Sequence, residues 1–114
     1  MKENNENKFQ TIIDKFKIIS QELFEESKLK YPSHYKLESS ATKMMQILKE
    51  NKIDDAKYNS WKSWKLRELD IFIADLVGEL HHDYDKRLVR YRGKWTKEQN
   101  KIDTIISEFR QKFK

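Results

Sequence analysis

Apolar residues recur along this chain at intervals of three and four, the spacing that a 3.6-residue period gathers onto one side of a helix. From about Glu6 to Lys30 the positions Phe9, Ile12, Ile13, Phe16, Ile19, Leu23 and Phe24 form one such stripe. Pro32 disfavours helical geometry at Tyr31 and ends the segment. A second helix is expected from about Tyr35 to Lys52, with Leu37, Ala41, Met44, Met45 and Leu48 on its inner face and Ser33 as its cap. Asn51 is expected to terminate it, because Asn tolerates the left-handed backbone conformation. Residues 1–5 are polar and unpatterned and are expected to fray.

The longest periodic stretch follows Asp54, which is expected to cap it, and runs through Trp61, Leu69, Phe72, Ile73, Leu76, Leu80, Tyr84, Leu88 and Tyr91. It reads as a long third helix, unbroken from about Asp55 to Arg92 or beginning only at Ser60, with Gly78 marking a kink or a close helix contact. Gly93 is expected to end it. Thr96-Lys97-Glu98-Gln99 then has the form of a capping box opening a fourth helix, whose inner face is Ile102, Ile105, Ile106, Phe109 and Phe113. Strand-type alternation persists nowhere beyond three or four residues. The expectation is an all-α, single-domain antiparallel bundle of about four helices over residues 6–114, up-down-up-down because the connections are short.

Composition narrows the chemistry. The 114 residues contain no Cys, which excludes disulfides, thiol nucleophiles and thiolate metal sites. The longest apolar run, Ile71 to Ala74, is far too short to cross a bilayer. The polar N-terminus lacks the apolar core of a secretory signal, so the expected compartment is the cytoplasm. Net charge is +5, and its distribution is more informative than its size. Between residues 86 and 101 lie Lys86, Arg87, Arg90, Arg92, Lys94, Lys97 and Lys101 against the single acid Glu98.

That basic cluster, with Trp95 and Tyr91 interleaved, is the first candidate interaction site. Arginine's planar fork suits phosphate or carboxylate, and aromatic rings stack on bases or anchor interfaces. The alternative is a solvated helix end whose cations oppose the helix dipole. A second candidate is a line of Trp64, Ile71 and Gly78, spaced seven apart on the side of the third helix opposite its main stripe, together with His82 and Val89. Such a line needs covering, either by another helix of the chain or by a partner.

Glu79 and His82 form one Glu-x-x-His pair, the unit that carboxylate-bridged di-iron bundles use twice. The remaining histidines are His81 and His34, and His34 sits in a Pro-containing turn with no Glu three residues before it. No metal or other cofactor is therefore expected. Neither a nucleophile with a nearby base nor a phosphate-cradling glycine loop is apparent, so no catalytic residues are expected either.

The sequence therefore points to a non-catalytic interaction protein, such as an adaptor, an inhibitor or a small subunit of a complex, that docks on a protein partner or a second copy of itself through helix three and the basic turn into helix four. Nucleic-acid binding through the 86–101 cluster is the alternative, by backbone contact to DNA or RNA. In size, basicity and helix number the chain is also similar to bacteriocin immunity proteins. That likeness, of architecture alone, implies a role at the inner membrane face; the composition itself favours no membrane association.

Overall fold

The computed structural model describes residues 3–80 and 88–113, with the backbone alone at residues 3, 4, 79, 80 and 88–91. The described residues form four helices and no strand: α1 (Glu3–Ser27), α2 (His34–Glu50), α3 (Ala56–Leu80) and α4 (Leu88–Lys112). Each runs antiparallel to its neighbour in sequence. Glu22 of α1 pairs with Lys36 and Lys43 of α2, at 3.7 and 3.4 Å, while Lys8 reaches the carbonyl of Lys52 at 2.6 Å. Tyr58 near the start of α3 bonds back to Leu48 at the end of α2. Trp61 packs on Phe109, and Phe9 near the start of α1 stacks on Phe113 at the far end of α4.

The inner stripes meet in one core. Ile12, Phe16, Leu23, Leu37, Met44, Leu48, Leu69, Ile102 and Phe109 are all fully buried there. At one end of the bundle Phe9, Phe16, Tyr58, Trp61, Phe109 and Phe113 form an aromatic cluster, with ring centroids about 5 to 6 Å apart and mostly edge-to-face. At the other end Trp95 fills the space beside the α1–α2 turn. Ser33 caps α2 as expected, its hydroxyl accepting from the Tyr35 N–H at 3.2 Å.

Several boundaries differ from those expected. α1 begins at Glu3, three residues early. Asp55, not Asp54, caps α3, since its carboxylate accepts from the Tyr58 N–H at 2.9 Å. Asn51 ends α2 in extended geometry with φ −91°, not left-handed, because its backbone N–H and side-chain amide both return to the Ile47 carbonyl.

The largest difference lies around Gly93. The described third helix ends at Leu80, and a separate 25-residue helix begins at Leu88, so α4 equals α1 and α3 in length. Gly93 lies inside α4, and the Thr96 hydroxyl bonds the Arg92 carbonyl one turn back at 3.1 Å instead of capping a new helix. A mid-helix glycine costs about 1 kcal/mol relative to Ala. Burial of the Trp95 indole, two residues further along the same helix, outweighs that cost. Residues 81–87, which include Tyr84, lie outside the described residues.

Candidate functional site

The basic cluster is not a single free surface. Trp95 is only 1% exposed, and its indole N–H donates to the Ser33 carbonyl at 2.9 Å. It belongs to the core and is not a contact residue as the sequence suggested. Arg92 is also committed internally. Its guanidinium donates to the carbonyls of Ser27, Leu29 and Lys30 at 2.9, 2.9 and 3.4 Å. Those carbonyls, at the end of α1 and in the turn after it, have no acceptor role inside the helix, and the cation also opposes the negative end of the helix dipole. The expected phosphate ligand is thus a helix cap.

Lys101 pairs with the buried Glu98 at 3.2 Å and lies 5.9 Å from the Phe72 ring. Lys94 is half-buried and engaged by its surroundings, whereas Lys97 is exposed. Lys86, Arg87 and His82, and the side chains of Arg90 and Val89, lie outside the described residues.

The second candidate line fares differently. Trp64 is 62% exposed and Ile71 57% exposed, on a helix whose opposite side buries Tyr58, Leu69, Phe72 and Leu76. A Cβ placed on Gly78 would meet no described atom within 4 Å, so the close helix contact expected there as one alternative is not found among the described residues. No other helix of the described chain covers this face. Arg67, Ala74 and Asp75 complete it, all exposed. The bundle needs only one side of α3, and what the periodicity left over is left over in the fold as well.

Beside this face a groove of about 340 Å³ runs between α3 and α4. Leu69, Phe72, Ile102 and Ile105 form its floor, and Lys65, Glu68 and Lys101 its rim. Lys65 bridges Glu68 and Glu108 at 3.0 and 2.9 Å, and the Trp61 indole N–H also donates to Glu108. Burial alone would raise the Glu108 carboxyl, but the Lys65 and Trp61 hydrogen bonds, with the charges of Lys65 and Lys112, hold it below the usual range. Burial would likewise lower the Lys65 ammonium, and its two carboxylate partners instead raise it. Burial raises the Asp103 carboxyl. The links of Lys65 and Trp61 to Glu108 join residues more than 40 positions apart, and no periodicity in the chain announces them.

A further aromatic and basic surface surrounds the α1–α2 turn. Phe24, expected in the core, is exposed with the Lys28 ammonium 4.4 Å from its ring centroid, because Leu23 beside it occupies the inward position. Tyr31 is exposed with Lys30 at 5.5 Å. Among the described residues no three His, Asp or Glu side chains gather as a metal site would require, and no helix is long and apolar enough to cross a membrane. No protein-family model, curated protein or solved structure matches the chain.

Proposed function

We propose that this chain is a non-catalytic interaction protein that docks through the outward face of α3. The observation that carries this reading is the pair Trp64 and Ile71, two large apolar side chains more than half exposed, two turns apart on a helix whose inner side is already filled. A tryptophan presented to solvent on a rigid helix is the kind of anchor that dominates interface energetics. Its exposure is unfavourable in the isolated chain and is relieved by a complementary surface. The test is affinity capture by the full chain and by Trp64→Ala and Ile71→Ala variants from the same extract. A partner retained by the parent and lost from both variants supports the reading; identical capture by all three overturns it.

Nucleic-acid binding remains the second reading, and it moves to a different set of groups. Arg92 and Trp95 are taken up internally, which leaves fewer groups of the 86–101 cluster free for phosphate. The exposed Phe24 and Tyr31 rings, each with a lysine over it at the end of the bundle where α4 begins, favour it instead. Phosphate neutralisation requires affinity to fall with salt, with a log-log slope of about −0.7 to −0.9 per contact. Gel shifts at two salt concentrations measure that slope, and binding that ignores salt refutes the reading. A cytoplasmic location accords with either.

A further inference from the structure

We propose that the partner of the α3 face is a second copy of the chain, packed antiparallel through α3 about a two-fold axis beside Ile71. This inference rests on the α3 face being the docking surface and adds the identity and orientation of what docks there.

The order of residues along that face is self-complementary. Trp64 and Gly78 lie seven residues to either side of Ile71, and Arg67 and Asp75 lie four to either side. At 3.6 residues per turn Trp64 and Gly78 stay within about 20° of the Ile71 direction, while Arg67 and Asp75 flank it by about 40° and stand about 6 Å before and after it. An antiparallel second copy exchanges each position with its counterpart. Ile71 then meets Ile71, the Trp64 ring lies over Gly78 of the second copy, and Arg67 reaches Asp75 of the second copy. The Trp64–Gly78 and Arg67–Asp75 pairings each occur twice, and Ile71–Ile71 occurs once, on the axis, as a two-fold interface demands.

The complementarity is of shape as well as charge. No described atom lies within 4 Å of where a Gly78 Cβ would stand, so among the described residues nothing bars an indole from approaching there. Arg67 and Asp75 are exposed, and neither forms a hydrogen bond or ion pair among the described residues. Glu68, the other acid beside the seam, is already neutralised by Lys65 at 3.0 Å. A parallel arrangement would set Arg67 against Arg67, Asp75 against Asp75 and Trp64 against Trp64, opposing like charges and leaving a gap at Gly78. The balance of one cation and one anion along the seam also disfavours a polyanion or a lipid surface as its occupant.

The experiment is sedimentation of the parent chain, of Arg67→Asp, of Asp75→Arg, and of the two variants mixed, with far-ultraviolet circular dichroism to verify folding. The parent is expected to form a dimer with a micromolar dissociation constant. Each single charge reversal places like charges together twice and should weaken self-association by about tenfold or more. Mixing the variants restores both opposite-charge pairs, so a heterodimer should form within about threefold of the parent's affinity. A parent chain that stays monomeric to about 500 µM overturns the proposal, as does a dimer indifferent to the reversals. Either result with Trp64-dependent capture of a foreign partner retained removes only the second copy. Loss of every Trp64-dependent association removes the docking face itself.

Discussion

Trp95 and Trp64 offer a direct test of how the fold divides its tryptophans between stability and contact. Trp95 is buried to 1% exposure, close-packed at the α1–α2 turn, and donates its indole N–H to the Ser33 carbonyl. Removing it in Trp95→Ala deletes the ring, leaves a cavity and reduces the Ser33 carbonyl to its bond from the Lys36 N–H at 3.1 Å, and large-to-small changes of this kind destabilise by about 3–5 kcal/mol. Against a total stability of about 5–15 kcal/mol for a domain of this size, that is a large fraction. The melting temperature should fall by about 12–20 °C. Trp95→Phe keeps most of the packing and loses the hydrogen bond, so it should lose about half as much. Trp64→Ala, by contrast, removes a ring that is 62% exposed and should change stability by about 0.5 kcal/mol or less. Urea unfolding monitored by circular dichroism, at concentrations low enough to keep the chain dilute, measures all three. A Trp95→Ala loss below about 1 kcal/mol, or a Trp64→Ala loss as large as that of Trp95→Ala, would refute the assignment of core and surface.

Four further outcomes follow from individual contacts. Arg92→Ala uncaps the end of α1 and should destabilise by about 1–2 kcal/mol, with Arg92→Lys intermediate because an ammonium cannot reach three carbonyls in a plane; urea midpoints check this. Glu108 titrates below its ordinary value when folded, so its contribution is present above about pH 4.5 and is lost as pH falls through the lower folded value. Glu108→Gln should accordingly flatten the fall in stability between neutral and acidic pH, read from thermal melts, and an unchanged profile counts against the Lys65–Glu108 pair. Burial pushes the Tyr58 hydroxyl up to about 12 while it donates to the Leu48 and Asn51 carbonyls; its stabilising effect is intact below its ordinary value of 10.0 and disappears as pH rises through about 12. Tyrosinate absorbance should therefore show one tyrosine that ionises late, a feature Tyr58→Phe abolishes. Finally, Gly78→Ala introduces a Cβ that meets none of the described residues within 4 Å and should stabilise the single chain by about 0.5–1 kcal/mol, measured by urea unfolding under dilute conditions.

The sequence alone determined the helical class, most inner-face positions and the surplus line on α3, because each is written in local periodicity. Leu37, Met44, Leu48, Ile102 and Phe109 are buried where the three-and-four spacing put them, and Trp64 and Ile71 stand exposed because the same wheel turns them away from that stripe. Local chemistry also placed the Ser33 cap. Tertiary structure decided the rest. Gly93 and Thr96 carry every local sign of a helix boundary, yet the helix runs through them because Trp95 is needed in the core 62 residues away from its hydrogen-bond partner Ser33. Arg92 looks like a ligand for phosphate in one dimension and becomes a cap for α1 only when α4 is laid beside it. Trp61, Lys65 and Glu108 are brought together by the antiparallel approach of α3 and α4. Periodicity reports which side of a helix turns inward, since that depends on neighbours three and four residues away. Which polar group meets which depends on pairings between distant segments, and those exist only once the helices have docked.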